Sequence, residues 1–183
     1  MHSTEYNVRG KKNEGGQEMS HKCFISYHVA DKSAVDDFCD KFSGSFIRRG
    51  IQMEDDIIDS DNTDYVMQRI RKLYLQDSTV TLVLIGKCTW ARRFVDWEVQ
   101  ASLRQPKDGY PNGLVAVQLW QSYTTLPNRV NLNVDSGYAK FYKYPSSSTS
   151  LSNMIDEAWN ARFDKTNLIE NPRDRYKNNR QCE

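Results

Sequence analysis

The sequence predicts an α/β fold: a doubly wound, mainly parallel sheet of about five strands with helices on both faces. Two observations carry this. Short apolar, strand-like runs alternate with amphipathic helical segments roughly five times along the chain. One of those runs, Thr79 to Ile85 (TVTLVLI), is apolar almost throughout, as expected of a central strand buried on both faces.

The elements follow in order. Lys22 to Tyr27 (KCFISY) reads as the first strand, and Ser33, with Asp36 three residues on, as the cap of a helix. Val35, Phe38, Cys39, Phe42 and Phe46 fall on one helical face, and Gly50 ends that helix. Ile51 to Met53 is a short second strand, followed by an acidic loop from Glu54 to Asp64. Val66, Ile70 and Leu73 recur at helical spacing, with Tyr74 beside them. After the central strand, Phe94, Trp97 and Ala101 mark a helix that starts near Arg92. The turn-rich break Tyr110-Pro111-Asn112-Gly113 precedes a strand over Leu114 to Trp120. Tyr138 to Tyr144 alternates as an edge strand stopped by Pro145. Leu151, Ile155, Ala158 and Trp159 lie on the last helix. The architecture is flavodoxin-like in the broad sense. In such sheets ligands sit outside the carboxyl ends of the strands. Those ends carry Ser26, Tyr27 and His28, the acidic loop, Gly86, Lys87 and Cys88, and Trp120 with Gln121.

The organisation expected is a flexible extension over residues 1–20, a folded domain over 21–163 and a polar tail over 164–183. Leu168 and Ile169 are the two apolar residues able to dock that tail. Length supports one domain with its own core: the chain has 183 residues, 38% of them apolar and 27% charged. Lys plus Arg is 25 and Asp plus Glu is 24, a balance that argues against a general nucleic-acid binder. No stretch of about 18 apolar residues offers a membrane span. The first twenty residues lack the apolar core of a secretory leader, so the expected location is cytoplasmic. Cys23, Cys39, Cys88 and Cys182 are widely spaced without a CxxC pair, and are read as reduced thiols.

Common chemical motifs are missing from the sequence. It has no GxGxxG, no GxxxxGK[ST], no GxSxG and no HExxH. Its three histidines, His2, His21 and His28, do not make a zinc set with the cysteines, and no metal site is expected. Asp59, Asp61 and Thr63 imitate the opening of a calcium loop. The pattern fails at its sixth position, Asp64 instead of Gly, and at its twelfth, Ile70 instead of Glu. A phospho-aspartate receiver needs an acidic pair after the first strand and an Asp ending the third. Ser26-Tyr27-His28 and Gly86-Lys87 stand there instead.

The informative stretch is Ser78 to Arg104, STVTLVLIGKCTWARRFVDWEVQASLR. Phe94 and Glu98 are four apart on one helix, with Trp97 beside them. Spacing alone leaves two readings of Glu98. It is either a carboxylate at the crevice, desolvated by two rings so that its pKa rises, or a surface residue paired with Arg93 or Lys87. Arg92 and Arg93 are open in the same way, between meeting a pyrophosphate and pairing with Asp96.

The opening KCFISYHVADK resembles the first strand and loop of a TIR domain. STVTLVLIG and RRFVDWEVQASL resemble the third strand and third helix of the TIR-like proteins of the bacterial Thoeris antiphage system, and LPNRVNLNVDSGYAKFYKYP is similar to a recurring feature of that group. Together the resemblance covers about residues 21–163. It implies a TIR-like fold and an enzyme that cleaves the nicotinamide–ribose bond of NAD. The expected product is a cyclic ADP-ribose-type or related ADP-ribose signalling nucleotide, which activates a separate effector protein. The family's catalytic glutamate lies in a Trp-x-x-x-Glu pattern that maps onto Glu98, with Phe94 in place of the Trp. Trp97 falls where an aromatic often sits beside that glutamate. Ser26, Tyr27 and His28 match the loop that lines the nicotinamide-ribose pocket. The acidic loop around Asp55 and Asp56 stands where the BB loop of TIR assemblies can close a neighbouring subunit's site. NAD is then substrate, with no further cofactor. Self-association and a phage component as trigger are the other expected partners, without nucleic acid or membrane. A non-catalytic TIR-like assembly or nucleotide-binding module is the alternative. A nucleoside deoxyribosyltransferase-like enzyme, with a similar fold and a carboxylate nucleophile, is the third.

Overall fold

The computed structural model describes residues 20–49, 60–75, 77–120 and 123–182. Among them run strands β1 (Lys22–Ser26), β2 (Ile47–Arg49), β3 (Val80–Ile85), β4 (Gly113–Gln118) and β5 (Lys140–Tyr142). The helices are α1 (Lys32–Lys41), α2 (Thr63–Ile70), α3 (Arg93–Leu103), α4 (Asn128–Asp135) and α5 (Ser148–Asp164). The sheet order is β2-β1-β3-β4-β5 and every pair is parallel. The doubly wound α/β architecture expected from the alternation is therefore present. β3 lies between β1 and β4 and all six of its residues are buried, which is why its sequence shows no polar face.

Period-two alternation sorts the side chains into two layers. Cys23, Ile25 and Tyr27, with Leu82, Leu84, Val115 and Val117, pack against α1 and α5. Val83, Ile85, Leu114 and Ala116 pack against α3 and α4 on the other face. Phe24 of β1 belongs to that second face and meets Val66, Met67 and Ile70 of α2 together with Trp97 and Ala101 of α3. The entry of β4 passes so close to α5 that only a glycine fits. A Cβ on Gly113 would stand 2.0 Å from the carbonyl oxygen of Ala158.

Several boundaries differ from expectation. α1 stops at Lys41, not at Gly50, because Ser43, Gly44 and Ser45 are poor helix formers and the chain turns there. Phe46 is buried from that turn and not from a helical face, and β2 forms at Ile47–Arg49. The strand expected at Ile51 to Met53 lies outside the described residues, as do Gly50, most of the acidic loop and the extension before Ser20. The cap of α1 is Asp31, without a side-chain cap bond, in place of Ser33. α2 does carry a side-chain cap, with Asn62 accepting from the Tyr65 N–H at 3.1 Å. α4 was not anticipated. Val130, Leu132 and Val134 alternate with polar residues and read as a strand period, yet the segment is helical and buries Arg129, Val130 and Asn133.

Two corrections concern the end of the chain and the cysteines. The polar tail is expected to dock through Leu168 and Ile169, and both do pack on the α3–α4 layer. What differs is that residues 170–182 are also fixed to α3 and α4 by hydrogen bonds from end to end. Cys88 and Cys182 form a disulfide with a Cα–Cα distance of 5.7 Å, so only Cys23 and Cys39 remain thiols, both buried. Sequence could not pair them, since 94 positions separate the two and no local motif joins them.

Candidate functional site

The topology locates a crevice before any side chain is considered. From β1 the chain goes to β2 on one side and later to β3 on the other, so the order reverses between β1 and β3. Connections leave in opposite directions at such a point and open a cleft beyond the carboxyl ends. Into it run the end of β1 (Ser26, Tyr27, His28), the end of β3 (Gly86, Lys87, Cys88) and the beginning of α3.

Ser26 ends β1 and pairs in register with Val83 of β3. It shares the face of Phe24, two residues earlier, and so points toward α3. There Ser26 Oγ donates to Glu98 Oε2 at 2.6 Å, with both residues buried, Ser26 at 0% and Glu98 at 2% exposure. Glu98 lies in the second turn of α3. A carboxylate this deep is costly unless polar partners face it, and Ser26 is one of them. The surface ion pair considered for Glu98 is therefore excluded by burial.

Tyr27 follows the same alternation to the opposite face. It packs in the α1–α5 layer, and burial pushes its phenol above the ordinary value. His28 is half-buried at the mouth. Burial, and then the Arg92 guanidinium, hold its imidazole below the usual histidine value, against the opposing pull of Asp31. Asp31 is a residue that sequence reasoning missed. Its N–H donates to the His28 carbonyl at 2.8 Å, and its carboxyl group sits directly on the end of β3. A Cβ on Gly86 would stand 2.0 Å from Asp31 Oδ2, so glycine is what lets the carboxylate settle there. Burial raises the Asp31 pKa, with His28 acting against it. The available signal was an acidic residue three positions beyond His28, in the loop after the first strand.

The aromatic residues of α3 turn elsewhere. Trp97 is 3% exposed and packs against α2, and its indole N–H donates to the Tyr176 carbonyl at 2.7 Å. The Arg175 guanidinium lies 4.7 Å from its ring centre. Phe94 is half-buried and meets Trp97 edge-on at 5.6 Å. The structure thus brings Ser26 and Glu98 together and sets His28 and Asp31 at the mouth. It does not place Tyr27 or Trp97 beside them. Arg92 binds backbone carbonyls, Cys88 at 3.1 Å and Arg180 at 3.3 Å. Asp96, considered as a partner of Arg92 or Arg93, pairs with Arg129 at 3.0 Å instead, both side chains buried. Trp120 stands 41% exposed beyond β4, edge-on to Tyr123. Among the described residues no group of three His, Cys, Asp or Glu side chains is arranged to hold a metal ion. No described helix is long and apolar enough to cross a membrane.

A family model described as Thoeris protein ThsB, TIR-like domain, matches residues 24–124, more than half of the chain. The chain belongs to the Thoeris ThsB TIR-like family. Among curated proteins, none matches it. The TIR-like match runs from β1 past the end of β4, and so contains Ser26, His28, Asp31, Gly86 and Glu98. Membership ties the chain to Thoeris defence. The segment 169–182 that lies on α3 falls outside the matched part of this TIR-like chain.

Proposed function

We propose that the chain cleaves the nicotinamide–ribose bond of NAD and releases a cyclic ADP-ribose-type or related ADP-ribose nucleotide, which activates a separate effector in antiphage defence. The observation that carries this reading is the buried Glu98 carboxylate, held by the Ser26 hydroxyl at the switch point of a parallel sheet. Loss of nicotinamide leaves an oxocarbenium-like sugar. A fixed, buried carboxylate stabilises that charge as it develops and can hold the ribose hydroxyls. Nicotinamide leaves from a cationic ring, so the step requires no strong general acid and no metal. Exclusion of water lets an internal or added nucleophile take the sugar carbon in place of hydrolysis. His28 and Asp31 stand at the mouth, where the substrate enters, and Phe94 is the half-buried ring one helical turn before Glu98 on α3. The expected setting is cytoplasmic, with self-association and a phage component as trigger.

The test is mass spectrometry of NAD incubated with the protein and with Glu98→Gln. Wild type should release nicotinamide, and the variant should lose on the order of 10²-fold or more while keeping its circular dichroism and melting temperature. Wild-type turnover by Glu98→Gln ends the assignment of Glu98. Silence of the wild type even in lysate of phage-infected cells favours the second reading, a non-catalytic TIR-like module that binds a nucleotide or assembles. One observation speaks for that reading. The Trp97 ring is covered by α2 and Arg175, and does not offer a face for stacking.

A further inference from the structure

The segment 169–182 is bound to α3 in two unequal stretches. The first, residues 169–176, is heavily bonded though none of its residues is fully buried. Arg129, itself paired with Asp96, donates to the Asn171 side chain at 2.9 Å, to the Pro172 carbonyl at 2.8 Å and to the Asp174 carbonyl at 2.7 Å. Gln100 donates to the Pro172 and Arg173 carbonyls, and Asp96 Oδ2 accepts the Tyr176 N–H at 3.0 Å. The second stretch, residues 177–182, lies at the surface over the start of α3. It is held by the Arg180 N–H on the Ala91 carbonyl at 2.8 Å, by Asn179 and by the disulfide to Cys88.

Asn179 does something α3 does not do for itself. The cap position of α3 is Arg92, with no side-chain cap bond, so the first-turn N–H groups lack a local acceptor. Asn179 Oδ1 accepts the Arg93 N–H at 2.9 Å, and thereby caps the helix from a segment 86 residues away. Arg180 accepts from Arg92, whose guanidinium also acts on His28 at the crevice mouth. The disulfide therefore joins the loop after β3 to the segment that caps the helix bearing Glu98. Both of its cysteines are half-buried, within reach of solvent thiols, whereas Cys23 and Cys39 are buried and their thiols pushed up by burial. Disulfides in reducing compartments are most often transient and redox-sensing.

We propose that Cys88–Cys182 is a redox latch: closed, it fixes residues 177–182 over the first turn of α3; opened by a dithiol, it uncaps that turn and weakens the candidate site. In opening, one thiolate of the dithiol attacks a sulfur of the bond and displaces the other cysteine as thiolate. The second thiol of the reductant then displaces the first cysteine from the mixed disulfide. Two cysteine thiols result, and the reductant becomes a disulfide. The reverse exchange with an oxidised dithiol closes the latch. The inner stretch, anchored by Arg129, stays in place throughout.

The experiment uses the full chain in three forms: oxidised, reduced with dithiothreitol, and Cys182→Ser. Alkylation followed by peptide mapping establishes the Cys88–Cys182 bond in the first form. Hydrogen exchange is then read on peptides over 89–95 and 177–182, with 169–176 as internal reference. Reduction and Cys182→Ser should each speed exchange in the first two regions about tenfold or more and leave the reference unchanged. Trypsin should cut after Lys177 and Arg180 faster in both opened forms. Equal exchange in all three forms, or an oxidised protein without the Cys88–Cys182 bond, overturns the latch. The effect on turnover rests on the NAD-cleavage reading. Nicotinamide release should fall severalfold on reduction and return on reoxidation, and equal release from both forms overturns the coupling to the site. A protein inert toward NAD in both forms counts against that reading alone, and the exchange data still decide the latch.

Discussion

At the scale of single residues, the site turns on whether a buried carboxylate has a partner. Ser26 and Glu98 lie 72 positions apart in sequence, and no local pattern connects them. What connects them is the alternation of β1, which sends Ser26 and Phe24 to the α3 side and Tyr27 to the other. Sequence reasoning selected Ser26, Tyr27 and His28 as a block because they follow the strand, and the pleat divides that block. Ser26→Ala removes a short hydrogen bond to a group with 2% exposure, and hydrogen bonds to charged partners contribute about 1.5–3 kcal/mol. If Glu98 must be held in one position to meet a developing charge, nicotinamide release should drop roughly ten- to hundredfold in Ser26→Ala. Tyr27→Phe, on the far face, should stay within about threefold of wild type. Steady-state turnover of the two variants side by side checks the division. Equal losses in both would mean that the face of the strand does not matter.

At the scale of elements, α3 is the working part, and its two sides have different tasks. One side brings Glu98 to the sheet, while Asp96, Trp97 and Gln100 bind the segment 169–182. The helix and its apolar spacing were legible in the sequence, because Phe94, Trp97 and Ala101 recur at three- and four-residue steps. The partner of Asp96 was not legible. Arg129 comes from α4, whose Asn-rich sequence hides its helical period, and the pair forms across the sheet-covering layer. The pair is closed to water, with side chains 4% and 3% exposed, and Arg129 also holds three groups of the segment beyond α5. Arg129→Met strands a buried carboxylate and frees that segment at once. Breaking a buried pair from one side costs about 3–5 kcal/mol. Chemical denaturation of Arg129→Met should show a loss of this size, with trypsin now reaching Arg173 and Arg175. A loss under about 1 kcal/mol would mean that Asp96 finds another donor.

At the scale of the whole molecule, the layer order was legible because it depends on patterns repeated many times: alternating elements, one strand apolar on both faces and a helix between most strands. What was not legible depends on single long-range meetings, such as Cys88 with Cys182, Asp31 with Gly86 and Asn179 with Arg93. The same distinction governs how the fold responds to acid. Two histidines sit at opposite ends of the sheet. His21 at the amino end of β1 stacks on Trp159 at 4.8 Å and pairs with Asp156, while His28 lies at the carboxyl end. Burial holds the His21 pKa below the ordinary value, with Asp156 acting against it, and burial followed by Arg92 does the same for His28. A histidine whose pKa is lower folded than unfolded binds more protons when the chain is open. Its contribution to stability is therefore complete above the unfolded value of about 6.5, and is lost as pH falls through and below it. The exposed carboxylates Asp36, Asp64 and Asp77 are held low by their Lys and Arg partners. Their contribution is lost only at more acid pH, below about 4. The two losses are thus separated along the pH axis. Melting temperature should fall between about pH 7.5 and pH 5.5, before those three carboxylates titrate, and His21→Gln combined with His28→Gln should flatten that part of the curve. The comparison uses the slope and not the absolute melting temperature, because replacing His21 also removes a ring from Trp159. A double variant with the slope of the wild type would locate the acid sensitivity in the carboxylates instead.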